Sequence, residues 1–200
     1  MNNKSYLWLM LGLAVAPACA PALSPPSHPT AGERGAVTQQ LSFLARQRVH
    51  GATEWLPLSP EDVLHTGDRY QLEVRTAHPA YVYVARSSAD RALELLLPRP
   101  GSSAARTAPP APLRLPSAED GYSFDGQLGE ESIVCLAADQ ELPEATVKQH
   151  MSNAVPAEQG SGREMPPGLT DKNRGDTMVY LGKPLATGVL GLRFSFQRQK

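Results

Sequence analysis

Neither sign of charge is in excess: 19 lysines and arginines stand against 20 aspartates and glutamates in 200 residues. The two signs are interspersed, so the chain lacks the basic stripe that nucleic-acid binding calls for. Cysteine is scarce as well, limited to Cys19 and Cys135. No second cysteine or paired histidine lies at ligand spacing, so neither a zinc site nor thiol chemistry is expected. Long apolar runs are also missing. The N-terminal run Tyr6 to Val15 has about half the ~20 residues a membrane helix needs before Pro17, Pro21, Pro25 and Pro26 interrupt it.

What does stand at the N-terminus has the order of an export signal. Lys4 supplies a basic start, Tyr6 to Val15 an apolar segment, and Ala16-Pro17-Ala18-Cys19 a small-residue cleavage region. Residues 1–18 are therefore expected to be a signal peptide. Cutting before Cys19 resembles the processing of bacterial lipoproteins, in which that cysteine takes a diacylglycerol; Ala16 and Pro17 depart from the usual pattern. Cys19 is the expected lipidation site, with a soluble periplasmic or secreted form as the alternative. Residues 19–36 are rich in Pro, Ala, Ser and Gly, cannot repay their ordering entropy, and are expected to be a flexible tether. The placement that follows is the cell envelope, membrane-anchored through lipid on the outer-membrane or periplasmic face.

From residue 37 to 200 the pattern is that of one β-rich domain. Tyr70, Leu72, Val74 and Thr76 alternate with Gln71, Glu73 and Arg75, the period of a half-buried strand. Ala80 to Ala85 is apolar on both faces, as in a central strand. With Leu93 to Leu97, these three runs are expected to form a meander. Val37 to Val49 fits either a strand or a helical face, and strand is the choice. Glu54 to Leu58 contains Pro57 and is expected at an edge. Ser59-Pro60-Glu61-Asp62 carries the signals of a short helix start, and Pro143 to Asn153 those of a helix of two or three turns. Leu113 to Leu115, Tyr122 to Phe124 and Ser132 to Ala138 read as further strands, with Cys135 as a small core residue. Pro98 to Pro112 and Ala154 to Asp176 have loop composition, the latter a candidate binding segment. Leu190, Leu192, Phe194 and Phe196 share a face of a closing strand. The expected fold is mainly β, a single sandwich or open barrel of about seven to eight short strands with one or two short helices.

Five short pieces occur in order: Thr66-Gly67-Asp68-Arg69-Tyr70, Ala80 to Val84, Leu93 to Pro98, Arg114-Leu115-Pro116-Ser117 with Tyr122-Ser123-Phe124, and Gly129-Glu130-Glu131 before Ser132 to Ala138. Together, over residues 55–142, they resemble the DUF4384 family, domains of unknown function in bacterial envelope and signalling proteins. The resemblance implies a β-rich accessory module, often joined to a kinase, a caspase-like peptidase or repeats, and brings no catalytic residues with it. Within these 200 residues no such effector domain is expected, and a long segment follows Leu142.

No chemical constellation emerges. His28, His50, His65, His78 and His150 have no ligand-like neighbour at close spacing. There is no Gly-x-Ser-x-Gly elbow, and Glu130 and Glu131 point to opposite faces of a strand. Gly160-Ser-Gly-Arg163 lacks the ending of a phosphate loop. Tyr81 and Tyr83 could line a ligand surface but are more naturally core. The expectation is an exported envelope lipoprotein carrying a non-catalytic binding or assembly module, without catalytic, metal or cofactor-binding residues. Its expected partners are the membrane, through the anchor, and another envelope protein. An exported hydrolase with a loop-built site is the contrasting class.

Overall fold

Alternating side chains need a second apolar layer to face, and this chain supplies it by stacking one sheet on another. The computed structural model describes residues 40–88, 91–116, 120–123, 128–160 and 178–200. The signal peptide, Cys19, the tether, Phe124 and residues 161–176 of the expected binding segment lie outside the described residues.

The ambiguous first run is a strand, β1 (Leu41–Arg48), with Leu41, Phe43 and Ala45 in the core. Beside it runs the short edge β2 (Leu56–Pro57). The helix expected at Ser59 does not form. The Ser59 N–H donates to Asp62 Oδ2 at 2.7 Å and the Glu61 N–H to Ser59 Oγ at 3.3 Å, so the capping groups close a single turn on themselves. The buried Leu64 that follows is drawn into strand β3 (Val63–His65). After the turn at Gly67, where φ is +97°, come β4 (Arg69–Thr76), β5 (Tyr81–Ser88) and β6 (Arg91–Leu97). The Pro-rich segment holds a two-residue strand, β7 (Ala105–Arg106), and β8 (Leu113–Leu115), β9 (Tyr122–Ser123) and β10 (Gly129–Ala138) follow. Helix α1 (Glu144–Ser152) precedes β11 (Glu158–Gln159), β12 (Tyr180–Leu181), β13 (Lys183–Ala186) and β14 (Val189–Gln199).

One sheet has the order β11-β12-β1-β4-β8, with β2 beside β1 and β9 beside β4. The other has β13-β14-β10-β5-β6, with β7 beside β5, and β3 running parallel to β14. The two form a sandwich, not a closed barrel. The expected meander is corrected: β5 and β6 pair, but β4 lies in the opposite sheet. The physical reason is visible in β5, which is apolar on both faces and so needs cover on both. Its Val82 and Val84 face the other sheet, while Tyr83 and Ala85 face a second cluster with Val147 and Met151 of α1. Strands of four residues or more number seven among the described residues, β1, β4, β5, β6, β10, β13 and β14. The shorter ones are brief edge pairings.

Between the sheets an aromatic cluster fills the centre, with Phe194 lying 5.5 Å from Phe43, 4.9 Å from Tyr180 and 6.0 Å from Phe196, ring centre to ring centre. Cys135 is a buried free thiol in this layer, as expected, and burial pushes its ionisation well up. On the far side of the second sheet, α1 buries Val147 and Met151, one helical turn apart on one face. Arg193 of β14 fixes its end, donating from Nη2 to the carbonyls of Met151 at 3.2 Å and Ser152 at 3.4 Å. Ala154 is buried, and the Ala157 N–H donates to Arg193 O at 2.7 Å. The segment from Ala154, expected to be a loop, is thus built into the sandwich as far as Gly160, because the main chain of Val155 and Ala157 pairs with Arg193 and that of Gly160 with Val179.

Candidate functional site

Where β6 ends, Pro98, Pro100 and Gly101 turn the chain outward, and the Ser102 N–H closes the turn on Arg99 O at 2.9 Å. This loop faces the segment Glu141-Leu142-Pro143 and the first turn of α1. The Ala104 N–H, donating to Glu141 Oε1 at 3.3 Å, ties the two walls together at one end. Between them lies a cleft of about 350 Å³, within the range of small-ligand pockets.

Its floor is Tyr83, with Leu95, Leu142 and Val147 around it and Arg99, Glu141 and Glu144 at the rim. The Tyr83 hydroxyl accepts the Leu142 N–H at 2.7 Å. Burial pushes this phenol up; the Leu142 N–H partly offsets that and Glu141 adds to it, so the group stays protonated and its proton is free to donate. Glu144 forms an ion pair with Lys148 at 2.6 Å, and that hydrogen bond holds its carboxyl below the usual range. The arrangement can hold a small apolar group that offers one acceptor to a phenol, beneath a rim of mixed charge.

The structure separates the other residues considered from sequence. Tyr83 is both core and cleft floor, whereas Tyr81 is half-buried under the Arg106 guanidinium, 5.7 Å above its ring. The main-chain N–H groups of His50 and His65 donate to the two oxygens of Asp68, at 2.8 and 2.7 Å. His78 is exposed in a turn and His150 is half-buried on α1, while His28 lies outside the described residues. Glu130 and Glu131 do point to opposite faces, the first exposed, the second buried. Of Gly160 to Arg163 only Gly160 is described, and its N–H donates to Val179 O at 2.8 Å. Among the described residues no three His, Cys, Asp or Glu side chains gather as a metal site would require.

Two groupings escaped the sequence. The cleft is one, since its walls are a loop and a linker that meet only in the fold. The second is a buried ion pair, Arg198 Nη2 to Glu131 Oε2 at 2.9 Å, with the Tyr70 hydroxyl donating to Glu131 Oε1 at 3.3 Å. Its signal was present: the alternation from Leu190 to Phe196 carries on to Arg198, and that of Ile133 and Cys135 runs back to Glu131.

Residues 63–141 match DUF4384, a domain of unknown function. The DUF4384 segment runs from β3 to Glu141 on the cleft rim, close to the span expected from the five sequence pieces. It contains the floor tyrosine and the loop wall of the cleft. Helix α1, the opposite wall, lies beyond the DUF4384 match, as does β14. No curated protein and no solved structure matches the chain.

Proposed function

We propose that this chain is an exported, lipid-anchored envelope protein whose sandwich is a non-catalytic binding or assembly module, contacting its partner through the cleft over Tyr83. The observation that carries the proposal is the cleft itself. An apolar floor with one phenol donor, set between two short walls, suits recognition of a small apolar group from a partner protein. The N-terminal order of basic, apolar and small residues ending at Cys19 supports the anchor.

Two measurements test it. In cells, Cys19→Ser is expected to move the protein from the membrane to the soluble envelope fraction and to abolish labelling by a fatty-acid analogue. Equal membrane association of both forms would remove the anchor from the proposal. A photocrosslinking residue at Ser102, on the cleft wall, is expected to capture one defined partner in intact cells, and Ala104→Trp, which fills the cleft from a half-buried position, to prevent capture while thermal unfolding still shows a folded protein. Capture that is unaffected by a filled cleft would place the contact elsewhere.

A further inference from the structure

The register of β1 and β4 sets Arg48 directly across from Arg69. Like charges in that position repel, yet here the two guanidiniums share one acid. Asp120 Oδ1 lies 3.3 Å from Arg69 Nη1 and 3.9 Å from Arg48 Nη2. Both arginines also donate to the Asp120 carbonyl, at 3.0 and 3.3 Å. A hollow of about 230 Å³ opens around them, with His50, Gly51 and Gly67 on its other side.

Arg48 is held in place and the acid is not. Arg48 stacks over the Trp55 ring at 4.8 Å, and its side chain is only 23 % exposed. Trp55 is seated in turn by Gly121, where φ is +73° and an added Cβ would meet Trp55 Cη2 at 2.5 Å and the Tyr70 carbonyl at 2.8 Å. The Asp120 side chain, by contrast, is 80 % exposed. An ion pair that open to water contributes little, so the carboxylate is displaced at small cost.

We propose that Arg48 and Arg69 form an oxyanion site for a phosphate group, free or on a lipid headgroup, and that Asp120 is the resident carboxylate which the phosphate displaces. Two guanidinium forks on paired strands match the oxygens of a phosphate, and where the ligand is free phosphate its second charge also balances the second arginine, which one carboxylate leaves uncompensated. The site shares no residue with the cleft and does not depend on it.

The test uses the full chain with Trp8→Phe, which leaves Trp55 as the reporting tryptophan under Arg48. Inorganic phosphate, titrated at constant ionic strength against chloride, is expected to change Trp55 fluorescence saturably. Asp120→Asn is expected to tighten binding about two- to fivefold, by removing an exposed competitor. Arg69→Gln, which does not touch Trp55, is expected to abolish saturation, with its melting temperature confirming a folded protein. A parallel arm compares phosphatidylglycerol with phosphatidylcholine vesicles. Phosphatidylglycerol binding that Arg69→Gln removes assigns the site to a headgroup, and saturation by inorganic phosphate without it assigns the site to free phosphate. A linear response equal to that of chloride with no Arg69-dependent vesicle binding, or an Asp120→Asn variant that binds no tighter, overturns the proposal.

Discussion

Glu131 and Arg198 make the most demanding test of the sandwich. Their side chains are 3 % and 5 % exposed, so the ion pair, with the Tyr70 hydroxyl on Glu131 Oε1, replaces part of what water would otherwise supply. Glu131→Ala leaves the guanidinium buried without its carboxylate, which costs about 3–5 kcal/mol, and leaves Tyr70 without this acceptor, for about a further 1 kcal/mol. Arg198→Ala takes this guanidinium from the buried carboxylate at a similar cost. The double replacement Glu131→Ala with Arg198→Ala removes both charges at once, and is expected to lose less than the two single losses combined, because each single loss includes the cost of the charge left behind. Urea unfolding of the four proteins reads this directly as midpoint shifts at constant slope. For a domain of this size, 3–5 kcal/mol corresponds to a drop of roughly 6–20 °C in melting temperature. If the single losses simply add in the double variant, the pair is hydrated and uncoupled, and the dry environment inferred for it is wrong.

Three further outcomes are expected. Phe194→Ala, emptying a fully buried site among three aromatic rings, should cost about 3–5 kcal/mol in the same unfolding experiment; an unchanged midpoint would make β14 a frayed tail. Cys135 should react slowly with a thiol reagent in native protein and rapidly once denatured, since burial hides the sulfur and suppresses its thiolate; fast native labelling would put β10 at an exposed edge. At Glu73 burial pushes the carboxyl up, but hydrogen bonds from Arg75 at 2.7 Å and Arg114 at 3.0 Å outweigh it and hold the group below its ordinary range. A carboxyl lowered by folding stabilises above its unfolded value and loses that contribution as pH falls through the folded one. Glu73→Gln should therefore melt lower than the parent near neutrality and converge with it in acid, and a gap that stays constant with pH would rule out the ion pairs as its source.

Wherever one face of a strand is buried, the sequence already speaks. The alternations of Tyr70 to Thr76 and Leu190 to Phe196, the two-faced apolar run around Val82, and the apolar run holding Cys135 each appear in the fold in the environment that their side chains require. Helix α1 is legible from a different signal, an early acid and a later lysine that pair as Glu144 and Lys148. What was hidden depends on pairing. Nothing local says that β4 and β5 part into different sheets across His78-Pro79, nor that Arg48 and Arg69, twenty-one positions apart in a chain of interspersed charge, become cross-strand neighbours. The turn at Ser59 carried helix signals, but those act over one turn only, and Leu64 had a better place in a sheet.

The position of β14 has a consequence for how the chain can be made. It comes last in sequence, yet it lies inside its sheet, between β13 and β10, with β3 alongside. Made N-terminus first on a ribosome, the chain presents β3 and β10 well before the strand that joins them. Until β14 emerges, β10 has an unpaired flank and the aromatic cluster lacks Phe194 and Phe196. Completion of the sandwich therefore waits on β14, and until it docks the open flank of β10 is a site where another strand could add.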